Sequence, residues 1–350
     1  MRRFSDSVLG FILLLACAGL LLFPQEISAA VRSALDTCAN TLLPSLFPFF
    51  ILSGFLIRSG ISDRLGQKLE FLMRHIFHLS GDCVCAVIAG AVGGYPTGAR
   101  TAIELYKTGR CSRTEAEHLL GFCSNCGPSF LFGVVGFAVF QETKYACLLT
   151  AVHLASAVLT GIILRLPAPE LKTGHRVGAA RLPSPAAAFV DSVSSALSSF
   201  LNLSAFVLCF SAIIALLDVC GCLDFLSSCL LLPVSPENRQ ALLLSALEMT
   251  AGVLSLAQGD TEARLVICAA ALAWSGLSIH CQVLSLMRDT DLSPRLYFQG
   301  KVLHMLLSAA MTAAWLRGSF SLTFACLPAV FLMMKRISKI KGGNRHANVL

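Results

Sequence analysis

The stretch AEHLLGFCSNCGPSFLFGVVGFAVF, residues 116–140, is long enough to cross a bilayer, but CSNCGPS interrupts its apolar run. Pro128 lacks a backbone donor, and Gly127 permits dihedral angles that other residues avoid. Ser124 and Asn125 place polar side chains beside the carbonyls that a break would free. Since a membrane helix breaks only where its freed groups find partners or line a water-filled cavity, the stretch predicts a broken helix typical of transporters. The alternative is a Pro/Gly kink that serves helix packing alone.

A second interrupted stretch lies at 262–287, where residues 274–282 read WSGLSIHCQ. Four polar side chains fall close together there: Ser275, Ser278, His280 and Gln282. Polar groups are costly in hydrocarbon, so we expect them to face the protein interior. With Gly276 they predict a second break, although no proline is present. A packing kink is again the alternative, and His280 alone could be a histidine satisfied by a neighbouring side chain.

The composition around these stretches is that of an all-α polytopic membrane protein. Of the 350 residues, 55% are hydrophobic and 13% charged, which leaves too little polar surface to cover a soluble core. The formal charge of +7 does not indicate nucleic acid, because the basic residues punctuate apolar runs and no nucleic-acid-binding motif accompanies them. We therefore expect the lipid bilayer to be the main partner.

Fifteen cysteines do not form a metal or redox pattern. Most lie inside apolar runs, where a thiol behaves as a small hydrophobe. Cys123-x-x-Cys126 has no second pair at zinc-finger spacing. No hydrolase triad, Walker motif or Rossmann glycine pattern is present either. We expect no metal, no cofactor and no enzymatic activity.

Apolar runs of about 20 residues predict eight crossings. They lie near 6–24, 40–57, 116–140, 145–165, 195–217, 262–287, 302–317 and 319–334. The first follows Met1-Arg2-Arg3 and is interpreted as a retained span, since no cleavage site follows promptly. Two more apolar stretches, 83–95 and 241–256, are too short or too polar to cross, and we predict that they form re-entrant hairpins.

The distribution of Lys and Arg supports this topology. With both termini in the cytoplasm of a multi-pass cell-membrane protein, cytoplasmic segments hold 22 of these residues and the opposite side holds five. Making either short stretch a full crossing would invert everything downstream and spoil that ratio. The positive-inside rule therefore favours eight crossings and two hairpins.

The chain also repeats an order of elements. In each half, a crossing, an amphipathic stretch and a re-entrant run precede Thr-Glu-Ala, at 114–116 and 261–263, which opens an interrupted crossing. Because three crossings per half is an odd number, the second half is expected to be inverted, as in secondary transporters. The alternative is a chance match between short apolar sequences. The predicted parts are an N-terminal helix (1–29), a first repeat (30–166), a cytoplasmic linker (167–188), a second repeat (189–318), and a C-terminal helix with a basic tail (319–350).

The two hairpins supply the remaining candidate site residues. The first ends in Gly93, Gly94, Tyr95, Pro96, Thr97 and Gly98, whose glycines would let backbone amides approach a ligand. A tight turn that needs only glycine and proline explains the same residues. Glu248 is the only acid in the second hairpin's apolar stretch, and Thr250 accompanies it. An intramembrane carboxylate is a candidate coupling or substrate-binding group. The alternatives are a carboxylate that snorkels to the surface or one neutralised by a buried donor.

Several motifs resemble the YlbJ-type sporulation integral membrane proteins. They are LFPFF at 46–50, GYPTGAR at 94–100, LY at 105–106, FCSNCGP at 122–128 and GLSIHCQ at 276–282. The resemblance covers about 30–335 and implies a nucleoside-recognition, or gate, domain laid out like concentrative nucleoside transporters. It also implies a role in spore formation, in cortex assembly. The two cysteines beside Asn125 depart from the pattern.

These observations predict a secondary transporter of a small polar solute, with two hairpin tips and two broken helices around one site. A coupling ion, either a proton or sodium, and a homo-oligomeric assembly are further expected partners. The alternative is a membrane scaffold that recruits cortex-building partners without transporting anything.

Overall fold

The computed structural model describes residues 2–59, 61–165, 184–257 and 260–318, and within these ranges the fold is all-helical, without strands. The α-helices before residue 166 are Arg2–Leu22 (α1), Pro24–Thr37 (α2), Leu43–Arg58 (α3), Ile61–Phe77 (α4), Val84–Gly93 (α5), Thr97–Lys107 (α6), Arg113–Leu120 (α7) and Thr143–Leu164 (α8). Two π-helical segments, Cys38–Leu42 and Phe130–Val139, and a short 3-10 turn, Gly81–Cys83, complete this part.

The part after residue 183 has the same order of elements. Its α-helices are Pro185–Val219 (α9), Cys222–Cys229 (α10), Pro236–Leu247 (α11), Met249–Leu254 (α12), Thr261–Trp274 (α13), Gly276–Met287 (α14) and Arg295–Leu316 (α15). In both parts a long helical stretch and a further helix, α4 of 17 residues or α10 of eight, precede a pair of packed helices, an interrupted helix and a long final helix. The Thr-Glu-Ala tripeptides lie in the first turns of α7 and α13, as the repeat predicts.

Four helical stretches of the described residues are long and apolar enough to cross a membrane: Pro24–Leu52, Thr143–Leu164, Pro185–Val219 and Thr261–Met287. They contain most or all of the predicted crossings at 40–57, 145–165, 195–217 and 262–287. The expectation of an all-α protein with several membrane-spanning helices is therefore confirmed.

The boundaries of other predicted crossings differ from the structure. The crossing at 40–57 begins earlier, at Pro24, because proline suits the first turn of a helix and the π-helical segment continues α2 into α3. The stretch 116–140 is two pieces, and α15 starts seven residues before 302. The predicted crossing at 6–24 falls largely within α1. The crossing at 319–334 lies outside the described residues.

Both short apolar stretches form pairs of helices. The segment Gly81–Gly93, which contains α5, is bent by 92° from Lys68–Phe77 of α4. In the first pair, Gly94 then makes the turn with a φ of +74°, and α6 packs back against α5. In the second pair, α11 and α12 meet at Glu248, whose backbone is extended. We call these pairs hairpin 1 (α5–α6) and hairpin 2 (α11–α12).

Local capping fixes where the interrupted helices begin. Ser112 and Glu115 form the predicted capping box of α7, and the Glu115 carboxylate also accepts a hydrogen bond from Ser80 N at 2.8 Å. Asp260 caps α13 through Ala263 N at 3.1 Å. Ser184 caps α9 at Pro185, so the last four residues of the predicted linker belong to this helix.

The two parts share one core. Helix α3 packs against α9, α8 packs against α15, and α13 lies along α15. One continuous cluster of buried apolar side chains runs from α2 to α15. The interruptions after α7 and between α13 and α14 therefore lie inside the packed core.

Candidate functional site

The first interruption follows α7, and we call residues 121–129 break 1. Its backbone groups are paired by side chains from α8 and from the break itself. Cys126 N donates to His153 Nε2 on α8 at 2.9 Å, and Asn125 Nδ2 donates to Phe122 O at 3.0 Å. These contacts supply the partners that a buried break requires. The predicted break is present, and side chains of the core satisfy its backbone groups.

The second interruption is centred on Ser275, which has a φ of +80°, and on Gly276, which has a φ of +79°. We call these two residues break 2. Left-handed backbone at these residues ends α13 and starts α14, so a break forms without proline. A Cβ on Gly276 would lie 2.8 Å from Met249 N, so glycine is also needed for hairpin 2 to pack here.

Lys301 joins the two breaks. Its side chain is 2% exposed, and its Nζ donates to Ser124 O of break 1 at 2.5 Å. The same atom donates to Ser275 Oγ at 2.7 Å and to Ala273 O at 3.3 Å. It also lies 5.2 Å from the centre of the Tyr95 ring. One ammonium group thus holds the first part of the chain to the second.

The sequence analysis missed Lys301, and its assignment to a cytoplasmic segment was wrong. It was counted there because the predicted crossing began at 302, whereas α15 begins at Arg295 and carries Lys301 into the core. A local signal existed: Gly300 precedes Lys301, and a Cβ on Gly300 would lie 1.9 Å from Gly121 O. This close backbone approach brings α15 against break 1.

Glycines also bring hairpin 1 against break 1. A Cβ on Gly90 or Gly98 would lie 1.7 or 2.0 Å from Cys123 O. At the tip, a Cβ on Gly94 would lie 2.9 Å from Gly127 N. Gly98 therefore serves packing, as the turn interpretation of this segment expected.

Tyr95 links hairpin 1 to the other half of the chain. Its hydroxyl donates to Leu272 O of α13 at 2.5 Å, next to break 2. Pro96 precedes the first turn of α6, and Thr97 N donates to Gly94 O at 2.9 Å to close the turn.

Both hairpins and both interrupted helices line one partly open cavity of about 30 Å³. This volume accommodates about two water molecules. Of the predicted site residues, those that line it are Gly93, Gly94, Tyr95, Gly127, Glu248, Thr250, Ser278 and Gln282. Apolar side chains from α3, α9 and the π-helical segments complete the wall, including Leu42, Leu46, Phe50, Phe130, Leu203 and Val207.

The other predicted site residues lie outside the cavity wall. These are Pro96, Thr97, Gly98, Ser124, Asn125, Pro128, Ser275, Gly276 and His280. Ser124 and Ser275 bind Lys301 instead, and Gly276 packs against hairpin 2. His280 pairs with Tyr297 OH at 2.7 Å through Nδ1 and packs edge-on against Trp274, while its buried Nε2 has no hydrogen-bond partner in the described structure.

Glu248 has two roles in the cavity wall. The carboxylate is 2% exposed and accepts hydrogen bonds from Thr250 N at 3.1 Å and Ala251 N at 2.7 Å, so it caps α12. The hydroxyl groups of Thr250 and Ser278 lie close enough to interact with it. The predicted buried donors are thus present, and the acid still borders the cavity.

Gln282 contributes an unpaired acceptor. Its side chain is 2% exposed, it lines the cavity, and its Oε1 has no hydrogen-bond partner in the described structure. A buried polar atom without a partner is costly, which makes it a natural contact for a bound group that donates a hydrogen bond. No cluster of His, Cys, Asp or Glu that could hold a metal occurs in the described ranges.

Comparison with known proteins gives the chain a family. Residues 39–166 match the family model described as "Gate: Nucleoside recognition". The chain is also similar to the sporulation integral membrane protein YlbJ of Bacillus subtilis (strain 168), with 30% identity over 349 residues, 90% of this chain and 86% of the relative. The chain belongs to the YlbJ family of sporulation integral membrane proteins. No solved structure matches it.

The gate match covers one side of the site. It includes hairpin 1, break 1 and His153, and it ends at the end of the predicted first repeat. Glu248, Gln282 and Lys301 lie beyond it, in the part covered by the similarity to YlbJ. The resemblance stated from the motifs is confirmed by both comparisons.

Proposed function

We propose that the chain is a secondary transporter of a small polar solute, which binds in the cavity between the hairpins and the breaks. The proposal is carried by one observation: both hairpins and both interrupted helices line the same cavity, and one of its lining residues, Gln282, has an unpaired side-chain oxygen. Broken helices around a shared site are the arrangement that secondary transporters use for alternating access. The solute crosses the membrane chemically unchanged, without a cofactor.

The proposed topology is an inverted repeat with eight crossings and two re-entrant hairpins, with both termini in the cytoplasm. The shared order of elements supports it. Segments predicted to lie on the cytoplasmic side also contact each other. Arg165 Nη1 donates to His75 O at 2.6 Å, and Tyr106 OH donates to Asp291 Oδ1 at 2.5 Å. On the other predicted side, Arg264 Nη2 donates to Val139 O at 3.3 Å.

The cavity wall favours a solute that donates hydrogen bonds. Its acidic side chain, Glu248, and the free Oε1 of Gln282 are acceptors, and apolar side chains surround them. A nucleoside has hydroxyl and amino donors of this kind. A cavity of about 30 Å³ is far smaller than a nucleoside, so binding requires the hairpins to move away from the breaks.

The family supplies the biological setting. The relative is a sporulation integral membrane protein, and we propose that the solute is one that spore cortex formation needs. In the scaffold alternative, the cavity is a relic and its polar residues have no role in sporulation.

The test is solute binding by purified protein in lipid nanodiscs. Nucleosides, peptidoglycan precursors and small anions are screened by thermal shift, and each hit is then tested for uptake into proteoliposomes. We expect Gln282→Leu to weaken binding of the hit about tenfold, because it removes the free acceptor at the cavity wall. Glu248→Gln should also weaken binding while keeping one capping acceptor for α12.

Glu237→Gln is the matched control, since Glu237 lies exposed at the start of α11. It should bind and transport like the wild type. If no solute shifts the melting temperature, and the Gln282 and Glu248 variants sporulate normally, the cavity is not a transport site and the scaffold alternative stands.

A further inference from the structure

The surroundings of the Lys301 ammonium are unusual because they contain no carboxylate. Its three hydrogen-bond acceptors are two backbone carbonyls and one hydroxyl, all formally neutral. None of the ion pairs among the described residues includes Lys301. A buried ammonium is stable only when all of its donors are paired, and three acceptors match its three N–H groups.

These acceptors form an oxygen cage of the kind that binds a monovalent cation. Ala273 O belongs to the last turn of α13, where the break frees a carbonyl and the helix dipole is negative. Ser124 O is a freed carbonyl of break 1, and Ser275 Oγ comes from break 2. Unwound carbonyls and helix C-terminal ends are the groups that coordinate coupling ions in broken-helix transporters.

The position of the ammonium is fixed by the backbone. Gly300 meets Gly121 at a distance that excludes any side chain, so α15 cannot shift away from break 1 without losing this contact. The lysine is buried on all sides, and its Nζ lies over the Tyr95 ring. Lys301 therefore reaches the cage from a rigid helix.

We propose that Lys301 is a tethered cation that fills an oxygen-lined cation position where the two breaks cross. The ammonium holds break 1 to break 2, and the position has no room for an inorganic ion. A second consequence rests on the proposed transport function: solute movement needs no sodium, because the cation position is already filled by the ammonium.

The first test is chemical rescue. Lys301→Ala removes the ammonium and opens the cage, so methylammonium chloride should raise the melting temperature of this variant by several degrees relative to choline chloride at equal concentration. Lys301→Met is the matched control, because it fills the space without a donor and should not respond. Equal responses of the alanine variant to methylammonium and choline would overturn the proposal.

The second test is a double-mutant cycle that needs no ligand. Ser275→Ala removes one acceptor and should lower the melting temperature of the wild type by roughly 3–5 °C, but should have little effect in the Lys301→Met background. Additive effects would contradict a direct link. If the lysine variants do not fold, Ser275→Ala in the otherwise native chain decides: an unchanged melting temperature sinks the proposal.

Transport measurements address the sodium statement separately. For a solute taken up by proteoliposomes, replacing sodium with choline should leave the wild-type rate unchanged, and a sodium-dependent rate would refute this consequence. If no solute is transported, the proposed function fails, while the rescue and the cycle still test the tethered cation.

Discussion

At the scale of single residues, the buried polar side chains are of two kinds: those that line the cavity and those that support the breaks. Gln282 presents an unpaired oxygen to the cavity, whereas His153 and Lys301 pair with the backbone of break 1. His304 lies behind this layer, with its Nε2 3.0 Å from His153 O. A substitution of Gln282 is expected to affect solute binding, whereas a substitution of His153 or Lys301 is expected to affect folding.

A cluster at the predicted cytoplasmic surface links the two parts of the chain through single residues. Asp291 accepts a hydrogen bond from Tyr106 OH, and Arg113 Nη1 lies 3.3 Å from its other oxygen. The hydrogen bond from Tyr106 and the charge of Arg113 lower the pKa of Asp291. Glu117 raises the pKa of Arg113 and also accepts from Ser293 N at 2.9 Å.

This cluster predicts a pH dependence. Because the pKa of Asp291 is lower in the folded state, its contribution to stability is present above its unfolded value of about 3.9 and is lost as pH falls through the folded value. Tyr106→Phe should therefore lower the melting temperature slightly at pH 5 to 8, and the difference should shrink as pH falls through the folded pKa of Asp291. Differential scanning fluorimetry across this range measures it, with Tyr145→Phe as the control. A difference that persists at low pH would contradict the assigned link.

At the scale of elements, close backbone contacts decide how the helices cross. Glycines at the crossing of α15 with break 1, and of hairpin 1 with break 1, leave no space for a side chain. The N-cap residues and the left-handed residues set where these helices begin and end. Helix ends of this kind are local, whereas the crossings depend on two distant segments.

Gly300→Ala tests the crossing of α15 with break 1. The added methyl would meet Gly121 O, which is backbone and cannot rotate away, so we expect a loss of about 1–3 kcal/mol and a clear fall in melting temperature. Gly10→Ala in α1 is the control, since a Cβ there meets nothing within 4 Å. Equal melting temperatures for the two variants would show that the crossing is looser than described.

At the scale of the whole molecule, the two parts are interleaved. Helix α15 of the second part passes break 1 of the first, and Tyr95 of the first part reaches α13 of the second. Neither part would complete the cavity alone. If the two halves are inverted, the C-terminal ends of α8 and α15 lie on opposite sides of the membrane.

Cysteine labelling tests this topology. In a background without reactive native cysteines, Lys144→Cys and Arg317→Cys should react with a membrane-impermeant maleimide on intact cells. Arg74→Cys should react only after the membrane is permeabilised, because its segment is predicted to be cytoplasmic. Labelling of all three positions from one side would refute the inverted arrangement.

A helical membrane protein with two interruptions and two hairpins could be predicted from the amino-acid sequence alone. Those features are local: apolar length, a Gly-Pro pair, polar residues in an apolar run and a capping box all act within a few turns of the chain. The positions of Gly94, Glu248 and Gln282 at the site could be predicted for the same reason.

The tertiary structure was needed to learn which polar residues line the cavity and which side chains support the breaks. Lys301 lies 177 residues from Ser124, and its role depends on the meeting of Gly300 with Gly121. His280 and Ser275 look like cavity residues in the sequence, but left-handed backbone at break 2 turns them towards Tyr297 and Lys301. Contacts between distant segments depend on how the helices cross, and hydrophobic periodicity does not encode that crossing.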